Sequence, residues 1–117
     1  MSNVIVLFEV TIKDGKMDDY LKMAASLKEE LSKAEGFVSG ERFTSISTEG
    51  KILSQSMWEN EACIEKWRNN ALHRLCQKHG RAYDFADYKI TIVTPIRSYG
   101  MNDREGAPVD SNACFGL

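Results

Sequence analysis

The sequence lacks the features that mark membrane, secreted and nucleic-acid-binding proteins. No run approaches the roughly 18–20 consecutive apolar residues that a membrane-spanning helix needs. The apolar start, MSNVIVLFEV, has no basic leader and no small-residue cleavage site, so it predicts a first strand and not a signal peptide. Lysine and arginine number 15 against 17 acidic residues, without the basic stripe that nucleic acid requires. We therefore expect neither a membrane nor a nucleic-acid partner.

Cysteine and histidine are also scarce. The three cysteines, Cys63, Cys76 and Cys114, are odd in number and have no metal-ligand spacing. Without an export signal, this pattern predicts reduced thiols and a cytoplasmic protein. The two histidines, His73 and His79, lie six residues apart, which puts them on different sides of a helix. The spacing therefore predicts no metal site.

Several catalytic motifs are missing as well: a glycine-rich phosphate loop, a nucleotide-binding fingerprint, a nucleophile elbow and a CxxC pair. What is present is an ordinary globular composition, with 43% apolar and 27% charged residues in a chain of 117. That length suits one domain. We predict a domain over residues 1–99 and a C-terminal tail over residues 100–117, because the last residues show no periodicity.

The pattern of apolar residues predicts alternating strands and helices. Predicted strands cover residues 4–12, 37–46, 51–58 and 87–98, and predicted helices cover residues 16–34, 61–69 and 71–79, with an interruption at Asn69-Asn70. The order is β-α-β-β-α-β, which predicts an α+β, ferredoxin-like fold with an antiparallel sheet. In that layout the first and third strands are central. Pro95 belongs on an edge strand or at a bulge, since it cannot donate a ladder hydrogen bond.

The first strand is apolar on both sides of its pleat, from Val4 to Phe8. Helices in this topology cover one face of the sheet, so the second face would be an apolar patch too large for a monomer. The same face of a second chain is the simplest cover. The tail could instead fold back over the sheet, but it holds few large apolar residues. We predict a homodimer.

Two tryptophans and one histidine are candidates for a site. Trp58 ends the third strand and Trp67 lies on the next helix, where such a side chain either fills a core or lines a pocket. His73 titrates near neutral pH. On an unbroken helix it would be solvated, whereas a break at Asn69-Asn70 would let Trp67, Asn70, His73 and Gln77 line one cavity.

Four runs of residues carry a family resemblance: EGFVSGERF (35–43), SMWENEACIEKWRNNALHR (56–74), GRAYDFADYKI (80–90) and RSYGMNDRE (97–105). Over about residues 3–99 the chain resembles the antibiotic biosynthesis monooxygenase domains of the dimeric α+β barrel superfamily. The resemblance implies a homodimer, a dimeric α+β barrel, with a mostly apolar pocket between each sheet and its helices.

Members of the resembled family differ in activity. Some oxygenate polycyclic phenols without metal or flavin, others degrade haem, and related folds isomerise or merely bind metabolites. The resemblance implies a cofactor-independent monooxygenase that uses O₂ on a small aromatic or quinol-like substrate. A non-catalytic ligand-binding dimer and an isomerase or decarboxylase are the alternatives. Haem degradation is not expected, because Phe8 and Gln77 stand where haem-degrading members have Asn and the iron-ligating His.

The resemblance also implies residue roles. Trp67 matches the family's helix Trp, which would stack on or polarise the substrate, and His73 is the candidate catalytic base. Phenol-oxidising members have an Asn one helical turn before that Trp, where this chain has Cys63. The predicted substrate-binding residues are Asn70, Arg42, Trp58, Tyr88 and Phe8.

Overall fold

The computed structural model describes residues 3–117. The strands are β1 (Val4–Ile12), β2 (Phe37–Thr44), β3 (Lys51–Trp58) and β4 (Phe85–Val93); the helices are α1 (Met17–Ser32), α2 (Glu61–Arg68), α3 (Ala71–His79) and α4 (Val109–Cys114), with a π-helical turn at Gly80–Asp84. The predicted element order is confirmed. Within residues 3–117, none of the helices combines the length and the apolar character needed to cross a membrane.

The four strands form one antiparallel sheet in the order β2-β3-β1-β4, which confirms the α+β fold and the central position of β1 and β3. The predicted range of the last strand is wrong at both ends, since β4 covers residues 85–93 and not 87–98. Val93 pairs with Ile5 near the beginning of β1, so the chain beyond it soon runs out of partner strand. Pro95 consequently lies outside the sheet.

Two asparagines start the helices that follow β3. The Asn60 Oδ1 accepts a hydrogen bond from the Cys63 backbone N–H at 2.9 Å, and the Asn70 Oδ1 accepts one from the His73 N–H at 3.1 Å. Asparagine is a favoured N-cap because its short side chain satisfies an amide left free in the first turn. The interruption predicted at Asn69-Asn70 is therefore confirmed, and α3 begins as a separate helix with its own cap.

The helix-covered face of the sheet has a core in two parts. One cluster of buried residues, Val10, Ile12, Tyr20, Ala24 and Ile52, lies under α1. The other, Val4, Trp58, Cys63 and Ile64, lies under α2. The residues of β1 between the two clusters, Val6 and Phe8, are partly buried, and the space in front of them is a cavity.

The opposite face of the sheet carries Ile5 and Leu7 of β1, with Met57 opposite Ile5 and Gln55 opposite Leu7 on β3. The tail leaves its own large apolar side chains in solvent, with Met101 89% and Val109 84% exposed. The radius of gyration, 17.0 Å, exceeds the roughly 13 Å of a compact chain of this length. The tail in this structure is thus extended and not packed as an apolar cover.

Candidate active site

A cavity of about 460 Å³ lies between the sheet and helices α1, α2 and α3. This size suits a small organic ligand. Val6 and Phe8 of β1 and Ser54 and Ser56 of β3 form the floor, because their side chains alternate with those on the opposite face. The two serine side chains are small, so they leave space that larger side chains would have filled.

One end of the cavity is formed by two tryptophans and a histidine. Trp58 is 1% exposed, and its Nε1 donates a hydrogen bond to the Ser56 Oγ at 2.9 Å. The rings of Trp58 and Trp67 lie 6.2 Å apart, and that of His73 lies 5.0 Å from Trp67 at an angle of 45°. Trp58 therefore belongs to the core and also lines the cavity, so both alternatives considered for it hold.

His73 lies in the first turn of α3 with its ring against Trp67. Its Nδ1 is buried and has no hydrogen-bond partner among residues 3–117. Burial lowers the pKa of His73, the Arg74 charge adds to this effect, and the backbone of Arg68 opposes it. Burial therefore favours the neutral form of the imidazole, and no hydrogen bond within residues 3–117 engages its Nδ1.

The other end of the cavity is aromatic. The rings of Phe8, Phe85 and Tyr88 lie 5.7–5.8 Å from one another. Gly80 makes this cluster possible, because a Cβ at that position would lie 2.3 Å from the Phe85 Cζ. Arg81 donates a hydrogen bond to the Tyr88 hydroxyl and lies 5.7 Å from the centre of its ring.

The charges at the cavity are all of one sign. Five cationic residues line it, Arg42, Arg68, Arg74, Lys78 and Arg81, whereas no aspartate or glutamate does so among the residues that the structure describes. These side chains are exposed, so they form the rim while the interior is apolar. A one-sided rim of this kind favours an anionic ligand or an anion formed during a reaction.

Six of the seven predicted site residues line this cavity: Trp67, His73, Arg42, Trp58, Tyr88 and Phe8. Asn70 does not, since its side-chain oxygen accepts the hydrogen bond that begins α3. Its influence on the cavity is through the placement of His73. Gln77 lines the cavity, whereas Cys63 is buried in the core beside Trp58.

Of the five cationic residues at the rim, only Arg42 was predicted from the sequence. Arg74, Lys78 and Arg81 are spaced four and three residues apart, which places them along one side of a helix. That spacing indicates a basic helix face. It does not by itself indicate a cavity rim, because exposed basic residues occur on the outer face of many helices.

Comparisons with known proteins agree on one family. The family model described as antibiotic biosynthesis monooxygenase matches residues 3–79. A protein named jasmonate monooxygenase, from Pyricularia oryzae, is 37% identical over 98 residues, which are 84% of this chain and 46% of that protein. The chain thus spans less than half the length of this curated relative.

Solved structures share the fold. A variant of SnoaB, a cofactor-independent oxygenase from Streptomyces nogalater, superposes with a TM-score of 0.73 at 10% identity, covering 84% of this chain and 97% of that one. A protein of Mycobacterium tuberculosis gives a TM-score of 0.75 at 10% identity, with 85% and 100% covered. At such low identity these likenesses establish the architecture and not the reaction.

Proposed function

The chain belongs to the antibiotic biosynthesis monooxygenase family, and we propose that it is a cofactor-independent monooxygenase acting with O₂ on a small aromatic or quinol-like substrate. The observation that carries this proposal is His73, a half-buried imidazole whose pKa is lowered by burial and whose ring faces Trp67 at the end of an apolar cavity. A base is the group that such a reaction requires of the protein, because the deprotonated substrate itself supplies electrons to O₂.

The proposed reaction begins with proton transfer. His73 takes a proton from an activated C–H or O–H of the substrate, whose rings lie against Trp67 and the aromatic cluster. The resulting anion reduces O₂, so that the CH₂ group of an anthrone becomes C=O or a hydroquinone becomes a hydroxyquinone. In each case one oxygen atom stays in the product and the other leaves as water. The proton held by His73 returns to the departing oxygen. Arg42 and Tyr88, on the sheet side of the cavity, stabilise the negative charge.

The cationic rim supports a second candidate substrate class. An apolar molecule bearing a carboxylate would place its charge at the rim and its hydrocarbon part inside. The relative from Pyricularia oryzae is named for activity on jasmonate, a carboxylate. Jasmonate therefore belongs in the substrate panel beside anthrones and hydroquinones.

The partner in this proposal is a second copy of the chain. Ile5 and Leu7 of β1, with Leu53 and Met57 of β3, give the uncovered face of the sheet an apolar centre. Burying it against its twin would form the dimeric α+β barrel that the resemblance implies. Sedimentation of the wild type at micromolar concentration should give a dimer, and Leu7→Glu should give a folded monomer. A monomeric wild type would refute this part of the proposal.

Oxygen consumption tests the reaction itself. Chelator-treated protein is mixed with an anthrone, a hydroquinone or jasmonate, and O₂ uptake and product are measured with oxygen-18 gas. We expect one O₂ consumed and one labelled oxygen atom incorporated per product molecule. Tight binding without product would instead support the ligand-binding alternative, and turnover without O₂ would support an isomerase or decarboxylase.

A further inference from the structure

Three ionisable side chains meet outside the cavity. Asp19 lies in the first turn of α1, His79 is the last residue of α3, and Asp84 ends the π-helical turn. The His79 Nε2 is 2.6 Å from the Asp19 Oδ2 and 3.4 Å from the Asp84 Oδ2. One potential ligand atom from each residue lies within 4.8 Å of the other two.

The π-helical turn creates this arrangement. In an α-helix, residues five apart point about 140° away from each other. Here the chain widens after His79, and the Phe85 backbone N–H donates to the Gly80 carbonyl five residues earlier, which brings Asp84 back beside His79. The prediction of no metal site rested on the spacing of the two histidines and did not consider Asp84 beside His79. Such π-turns are frequent at functional sites.

Asp84 is the unusual member of the group. Its side chain is 0% exposed, and neither carboxylate oxygen has a hydrogen-bond partner within the described residues 3–117. The Nε2 of His79 carries at most one hydrogen atom, and the shorter distance directs it to Asp19. A buried carboxylate without a donor is costly, so Asp84 has to be either protonated or beside a cation.

The pKa directions describe how a proton meets this requirement when nothing else is bound. Burial raises the pKa of Asp84, with the neighbouring Asp19 adding to the effect. The hydrogen bond to Asp19 raises the pKa of His79, and the same bond lowers that of Asp19. Protons thus compete with any cation for these atoms.

We propose that Asp19, His79 and Asp84 bind one divalent first-row transition-metal ion, with Mn²⁺, Fe²⁺ and Zn²⁺ as the fitting class. One imidazole with two carboxylates is a donor set that suits these ions. Ligand atoms around a tetrahedral Zn²⁺ lie about 3.4 Å apart. Since the side chains of Asp19 and His79 are 48% and 41% exposed, they have room to open from 2.6 Å to that spacing. The same exposure leaves the remaining coordination positions to water.

The proposed site is separate from the proposed reaction. None of its three residues lines the cavity in the described part of the chain. A metal there would tie the first turn of α1 to the π-helical turn, whose Gly80 lies against Phe85 in the cavity wall. Its effect would accordingly be on stability, and it would bind whether or not His73 is a catalytic base.

Untagged, chelator-treated protein titrated with Mn²⁺ tests the site, because Mn²⁺ avoids the thiols of the chain. We expect saturable binding of one Mn²⁺ per chain by electron paramagnetic resonance, an increase in Tm, and release of about one proton in calorimetry. Asp84→Asn should weaken binding at least about tenfold. Asp19→Asn should do the same, which keeps the test valid if the buried substitution impairs folding. Asp18→Asn, in the same turn of α1 but outside the cluster, is the matched control and should bind as the wild type does.

Two outcomes would overturn the proposal. One is the absence of saturable binding by the folded wild type below about 1 mM Mn²⁺, an affinity of roughly 4 kcal/mol. The other is equal binding by the wild type, Asp84→Asn and Asp19→Asn, which would place the ion elsewhere. In either case a proton within the cluster, and not a metal ion, would compensate for the burial of the Asp84 carboxyl group.

Discussion

The two histidines of this chain lie on one short helix in opposite surroundings. His73, in the first turn of α3, lies against Trp67, and burial lowers its pKa. His79, in the last turn, contacts Asp19 and faces Asp84, and the hydrogen bond to Asp19 raises its pKa. Burial thus disfavours the cationic form of the side chain at one end of the helix, and an aspartate favours it at the other.

The difference comes from the elements that flank α3 and not from the helix itself. The Asn70 cap begins α3 beside the cavity, so its first turn places His73 there. The π-helical turn after α3 instead places the buried Asp84 carboxylate beside His79. Neither histidine could be assigned from its helical position alone. What each can do depends on which neighbours the breaks in the helix bring to it.

The largest effect should come from removing the base. His73→Gln keeps a polar side chain of similar reach but cannot accept a proton, so kcat should fall by roughly 100-fold to 10,000-fold. Leu75→Ala, on the same helix at a position 64% exposed, is the matched control and should retain kcat. Steady-state O₂ uptake measures both. A loss of less than about threefold in His73→Gln would remove His73 from the mechanism.

Gly80 links the two surroundings, since it follows His79 and lies against Phe85. In Gly80→Ala the new methyl would lie 2.3 Å from the Phe85 Cζ, so the ring or the backbone must move. Overpacking of this kind costs about 1–3 kcal/mol of unfolding free energy. Urea denaturation measures it. Gly100→Ala, whose nearest atom lies 4.0 Å away, is the control; equal stability of the two variants would contradict the packing described here.

Arg42 tests the electrostatics of the cavity next to His73, where all the charged lining residues of the described chain are cationic. Arg42→Gln should raise KM for an anionic substrate by about three- to tenfold, a modest change because the residue is solvent-accessible. KM for a neutral analogue should stay constant. Arg97→Gln, which does not line the cavity, is the control. An equal change for the charged and neutral substrates would show that Arg42 acts through packing.

The smallest expected effect is a difference between the titration midpoints of the two histidines. By proton NMR, His73 should titrate below 6.5 and His79 above 6.5. The interaction of His79 then contributes stability below pH 6.5 that is lost as pH rises through its raised pKa, whereas His73 opposes folding as pH falls below 6.5. His73→Gln assigns the resonances. Coincident or reversed midpoints would contradict the two environments.

The parts of the structure that the sequence predicted are those with local causes. The β1 pattern and the helix break depend on neighbouring residues, and the break led to the prediction that His73 and Gln77 share a cavity with Trp67. Prediction failed where the structure depends on residues distant in sequence or on irregular backbone geometry. The end of β4 depends on where β1 begins, and the approach of Asp84 to His79 depends on a π-helical turn that helical periodicity does not reveal.

Anaerobic mixing tests the central claim that His73 is a neutral base facing the substrate. Without O₂ the reaction should stop after proton transfer, so wild-type protein mixed with an anthrone should show the absorbance of the bound anion. His73→Gln should bind the anthrone, as measured by quenching of tryptophan fluorescence, and leave it protonated. Binding by the wild type without the anion, or an equal yield of the anion in His73→Gln, would contradict the account.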